Sequence, residues 1–216
     1  EAPWMTIGNL VEKPMTAAEA VKMGGLDFQV ERWDLEAVKP NKVKRRQIKE
    51  RVAIVRSDTE DWLGIMSKDY PILQYGEAFD FMDTVNPEYV ACGALKGGRQ
   101  GFLVVKAPEQ MNVLGGDDPH DLYAVLRTSH DGSRAIELLV MPLRGRCMNQ
   151  LTLQSFSAGV PHRWSIKHTS TMAAKLKNAQ DSLKNVGEYA KQFEKNAKRL
   201  AGMKITNDVG KAVLEA

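Results

Sequence analysis

The side chains best suited to chemistry lie between Arg144 and Thr169. Arg144, Arg146 and Asn149 come first, and Arg163, Trp164, Lys167 and His168 follow. Guanidinium forks match phosphates and guanine edges, and an asparagine amide pairs with an adenine edge. Cations around an aromatic ring are what stacking a nucleic-acid base requires. Further cations stand at Lys42, Lys44, Arg45 and Arg46, inside a basic run from Lys39 to Arg51. Lys96 and Arg99 bracket the turn Lys96-Gly97-Gly98-Arg99. Clustered cations of this kind release counterions when they bind a phosphate backbone. Each group also has a plainer reading: a solvated loop, glycines that any tight turn needs, an asparagine helix cap, a tryptophan at the core end of a strand. Together they favour contact with a polyanion.

Signals for catalysis are weaker. His130 and Asp131 adjoin Ser129 and Ser133, but a hydrolase triad needs the acid to orient the base and the base to reach the nucleophile. Neighbouring residues at a hairpin tip point apart, and Asp-Gly is itself a favoured tip, so no catalytic residue is assigned. Asp117, Asp118, His120 and Asp121 offer oxygen ligands to a hard cation without a characteristic spacing. No metal or other cofactor is expected. Cys92 and Cys147 belong to no CxxC pair and read as buried free thiols of a reducing compartment.

These residues need a scaffold, and the composition allows one. Of 216 residues 43% are hydrophobic, enough for a real core. The net charge of +3 is too small to imply a polyanion partner by itself. Three pairs of apolar runs flank turn chemistry: 51–56 with 62–67, 89–95 with 100–106, and 122–129 with 134–143. Each pair predicts a hairpin. Residues 1–40 read as an extended lead-in with one short helix, capped by Thr16 and Glu19 and stopped at Gly24-Gly25. A second helix is predicted over Gly76–Val85. The basic run is read as a loop entering a strand, and Pro108–Pro119 as a loop. From Thr171 the apolar residues recur at spacings of four and three, through Leu176, Leu183, Val186, Phe193 and Leu200. That heptad pattern predicts a long amphipathic helix over 169–201, with self-association through its seam. The expected fold is therefore α+β: one domain over 1–216, with an antiparallel hairpin-rich sheet over 41–168, packed helices, the long C-terminal helix, and a tail from 202. No apolar run is long enough to span a bilayer and no secretory signal is visible. The chain starts at Glu1 and not at Met, which leaves room for residues before it.

The order of motifs resembles the phage/plasmid-like protein family, whose shared domain is catalogued as of unknown function. The resemblance runs through Pro3-Trp4 and Gly8, Ala17–Ala20, Gly25-Leu26-Asp27, Arg56-Ser57-Asp58, Leu63-Gly64 and Tyr70 with Gln74. It continues through Phe79-Asp80, Gly93, Gly97-Gly98, His130-Asp131-Gly132-Ser133, Arg144 with Cys147 and Asn149, and His168-Thr169. The chain departs from the family at Met5, where histidine is usual, and at Gln150, where threonine is usual. The resemblance implies a mobile-element setting and a protein of the host cytoplasm. It implies no reaction. By analogy with phage single-strand annealing proteins, the expected function is binding or annealing of single-stranded DNA in recombination or replication, as a homo-oligomer without a membrane. The alternatives are a metal-assisted nucleic-acid-processing enzyme using His130, Asp131 and His168, and a module that docks a host or phage protein.

Overall fold

A computed structural model describes residues 9–10, 15–40, 44–80, 82–83, 87–112, 119–143 and 162–169, and scattered positions between 171 and 202. These residues form two antiparallel sheets and few helices, a mixed α+β architecture that is mostly sheet.

Helix α1, Ala17–Met23, starts where the sequence places it. The Thr16 hydroxyl accepts from the Glu19 amide while the Glu19 carboxylate accepts from the Thr16 amide at 2.7 Å. Ala17, Ala20 and Val21 then share the buried face. Gly25, at φ 66°, supplies the left-handed residue that ends the helix. Helix α2, Tyr75–Asp80, is shorter than the stretch expected over 76–85. It buries Tyr75, Ala78 and Phe79.

The smaller sheet has the order β2-β3-β4, built from Val30–Val38, Arg45–Arg56 and Trp62–Ser67. Two expectations are corrected here. The lead-in contains strand β2, and the basic run is mostly strand, since β3 begins at Arg45. Charged residues fit there because β4 stops pairing at Arg51↔Ser67, so Glu36↔Gln47, Ala37↔Arg46 and Val38↔Arg45 form a two-stranded ribbon with solvent on both faces.

The larger sheet has the order β1-β5-β6-β7-β8-β9: Asn9–Leu10, Glu88–Leu95, Gln100–Asn112, Pro119–Ser129, Ile136–Leu143 and His162–Ile166. The three expected hairpins are present as antiparallel pairs β3–β4, β5–β6 and β7–β8. The loop expected over 108–119 is narrower than that. After a bulge beyond Lys106, the pairs Gln110↔Asp121, Met111↔His120 and Asn112↔Pro119 carry the ladder on, with proline at a strand end where its missing N–H is tolerated.

Both faces of the larger sheet are buried, which is why β6 reads Phe102-Leu-Val-Val105 without alternation. Cys92, Leu103, Leu122, Leu126, Leu138 and Ile166 face the main core, shared with Val52, Ile54 and Leu63 of the smaller sheet and with both helices. Ala91, Phe102, Val104, Val125 and Leu139 form a second cluster on the other face. Cys92 is a buried free thiol that burial pushes up to about 12, against a small opposing effect of a backbone hydrogen bond at Gly93. Cys147 lies outside the described residues. Of the helix expected over 169–201 only scattered residues are described, and they do not define an element.

Candidate nucleic-acid interface

The smaller sheet turns one face to the core and leaves the other open. Strand register places Trp33 opposite Ala53, Ala53 opposite Ile65, and Val55 opposite Trp62. Directly opposed residues share a face, so these side chains form one surface. Ala53 and Val55 are buried on it, while Trp33, Trp62 and Ile65 are 40%, 57% and 53% exposed. A bulge at β4 lets this happen: Ile54 pairs with Gly64 and Val55 with Trp62, so Leu63 enters the core and Trp62 turns outward.

The cationic partner comes from the β5–β6 turn. The Arg99 guanidinium lies 4.5 Å from the Trp62 ring centroid. Neighbours hold that turn. Arg56 donates to the Gly97 carbonyl at 2.9 Å, stacks 4.0 Å over Phe28 and pairs with Asp58 at 2.7 Å. The hydrogen bond from Arg56 is the main reason the Asp58 carboxyl is held below its ordinary range. The Tyr75 hydroxyl donates to the Gly98 carbonyl at 2.9 Å. Gly98 sits at φ 88°, where a Cβ would stand 2.8 Å from the Phe28 ring, so the turn needs its glycine for space and for conformation.

Arg51 shares the open face, since it pairs with Ser67 two residues along from Ala53. Beyond it the β2–β3 ribbon carries exposed Lys44, Arg45, Arg46 and Lys49. Arg45 meets Glu36 at 3.6 Å with both side chains well exposed. Exposed pairs of this kind contribute about 0–1 kcal/mol, so Glu36 holds the Arg45 guanidinium only weakly.

The expected contact residues therefore divide. Lys44, Arg45, Arg46, Lys96 and Arg99 belong to the ribbon and the turn beside the open face. Arg163 stands opposite Leu139 on the larger sheet. Trp164 is half-buried and packs against the main core, the plainer of the two readings given for it. It pairs with Leu138 on the core side of β8, which fixes its direction. Lys167 is exposed and His168 half-buried. Lys42, Arg144, Arg146, Asn149, Leu176, Leu183, Val186, Phe193 and Leu200 lie outside the described residues. Trp33, Trp62 and Ile65 were missed because β2 was read as lead-in and β4 only as half of a hairpin.

The residues considered for catalysis meet in a different way. His130 is fully buried, with its ring edge-on to Tyr75 at 4.6 Å, and neither ring nitrogen has a hydrogen-bond partner. Burial, then the neighbouring His168, hold it down to about 4, against the pull of Asp131. His168 stacks on Tyr70 at 5.2 Å, reaches the Thr128 hydroxyl with Nε2 at 3.3 Å, and is lowered by burial. Asp131 makes no hydrogen bond to the imidazole. It accepts from the Ser133 amide at 2.9 Å and from the Gln100 amide group at 3.3 Å. Burial raises this carboxyl, but bonds from Ser133, Ser129 and Gln100 outweigh it and leave it lowered. The adjacent carboxylate thus does not orient the histidine, as a hydrolytic dyad requires.

Fold and surface together define a mostly-sheet α+β protein that presents an aromatic and cationic sheet face. Residues 62–216 match the domain of unknown function (DUF932), and the chain belongs to that family. The matched stretch includes Trp62, Ile65, Arg99, His130 and His168, and leaves out Trp33 and the basic ribbon. No curated protein and no solved structure matches the chain. Among the described residues no helix is long and apolar enough to cross a membrane.

Proposed function

We propose that this protein binds single-stranded DNA on the open face of the β2-β3-β4 sheet, in the recombination or replication of a phage or plasmid genome, as an oligomer and without a catalytic step. The observation that carries the reading is the Arg99 guanidinium over an exposed Trp62 ring, next to Trp33, Ile65 and a basic ribbon. Exposed rings on a sheet stack unpaired bases, and flanking cations follow the backbone. Trp33 and Trp62 lie two strands apart, hence roughly 10 Å across the sheet from the ordinary strand spacing. That separation suits bases splayed along an extended strand, whereas a duplex keeps its base faces stacked internally.

Fluorescence anisotropy with labelled single- and double-stranded oligonucleotides tests this. Single strands bind more tightly, and affinity falls with salt at a log–log slope of about −0.7 per phosphate contact. Trp62→Ala weakens single-strand binding by about 1–3 kcal/mol, the usual loss for a stacking aromatic, and leaves the unfolding free energy from urea titration within about 0.5 kcal/mol of wild type. Absence of binding at low salt, or unchanged affinity in the Trp62 variant, removes the proposal. One observation favours a second reading: Trp33 and Ile65 bring large exposed apolar area, the mark of a protein-docking face. Salt-insensitive capture of a partner protein through the same residues would establish that reading in place of the first.

A further inference from the structure

Buried His130 and half-buried His168 lie where one sheet rests on the other. Gly64 of β4 touches the β7–β8 tip so closely that a Cβ there would stand 2.9 Å from the His130 carbonyl oxygen and 3.0 Å from Asp131 Cα. Met66 of β4 closes over Gly132 of the same tip. The His130 amide donates to the Arg99 carbonyl at 2.8 Å, tying the tip to the turn that carries the cation over Trp62. We propose that His130, with His168 near it, is an acid-operated latch: the neutral His130 ring stays buried against Tyr75 and keeps the β7–β8 tip in place under β4, and its protonation loosens that tip and the β4 contact that rests on its backbone. This goes beyond the nucleic-acid reading and does not depend on it.

The surroundings give a protonated His130 no acceptor. Tyr75 of α2 presents a ring edge, and its hydroxyl is engaged with Gly98. Tyr70, from the segment after β4, presents its ring to His168 and its hydroxyl to the Ser129 carbonyl. His168, from the segment after β9, adds a second potential cation. From the β5–β6 turn, Arg99 offers a backbone carbonyl already taken by the His130 amide, while its guanidinium lies over Trp62. Asp131 is the facing carboxylate, and its oxygens are committed to Ser133 and Gln100. A buried charge without a hydrogen-bonding partner is costly.

The sign follows from the histidine's depressed value. A base held at about 4 when folded, against an ordinary 6.5, binds its proton more weakly in the folded state. Stability is complete above 6.5 and falls as the pH drops from 6.5 toward 4. The gap corresponds to roughly 300-fold in the folding equilibrium.

Chemical denaturation of the full chain at several pH values between 7 and 4 tests the latch, alongside His130→Phe. Neither His130 nitrogen has a partner to lose, so the apolar ring fills the site and the variant is as stable as wild type at pH 7. Between pH 7 and 4 the wild-type folding constant falls roughly 100-fold more than that of the variant, since a group held at about 4 is half protonated at pH 4 and the full effect comes only below it. Equal falls overturn the proposal. Should the variant not fold, imidazole signals of the wild type decide, with His168→Gln used for assignment: a His130 midpoint near 4 supports the latch and one near 6.5 sinks it. Amide exchange at pH 5, corrected for intrinsic rates, must open β4 before β6 and β7; simultaneous opening refutes local release.

Discussion

Arg127 and Glu137 show what a single contact does in this molecule. They stand opposite one another on β7 and β8 and meet at 2.6 Å, the guanidinium side chain 11% exposed and the carboxylate 4%. Arg134 approaches the same carboxylate at 3.6 Å. Removing one partner of a buried pair leaves a charge without its compensation, at about 3–5 kcal/mol. Glu137→Ala is therefore expected to lower the unfolding free energy by that amount, read from denaturant midpoints; a change under about 1 kcal/mol would show that the pair is not buried in solution. At this scale the sequence was only partly legible. Arg144–His168 stood out because cations and an aromatic were neighbours in sequence. The arrangement on the sheet joins Trp33, Trp62 and Arg99, which are far apart in the chain and become neighbours only through strand register and one bulge. The side of the sheet that Trp164 faces was hidden for the same reason, since pairing with Leu138 decides it.

Strands explain which parts of the fold could be read in advance. The hairpins β3–β4, β5–β6 and β7–β8 were legible because turn residues such as Lys96-Gly97-Gly98 and Asp131-Gly132 separate apolar runs, and turn chemistry acts locally. Helix α1 was legible from its cap. Strand β2 was not, because most of it has solvent on both sides and so shows no alternation of apolar and polar residues. The same exposure disguised the start of β3 as a loop. Strand pairing gives those cations a fixed spacing that a loop would not supply. Replacing Arg45 and Arg46 together by serine is expected to lessen the salt slope of single-strand binding by about 1.4, from about 0.7 for each lost contact, with little change in stability. An unaltered slope would place the ribbon outside the contact surface.

The molecule as a whole is unevenly held. A core shared by both sheets and both helices fixes the inner half of the smaller sheet, through Val52, Ile54 and Leu63. The outer half, where Val38 faces Arg45, has neither a third strand nor a buried side chain among the described residues. A two-stranded ribbon without a hydrophobic face is marginal in water. Amides of 36–38 and 45–47 should therefore lose protection by local fraying, far below the global unfolding free energy, while those of Leu103 and Leu126 exchange only with it. A polyanion lying along the ribbon would slow exchange there first, so a deuterium map taken with and without an oligonucleotide would trace the path of the strand residue by residue.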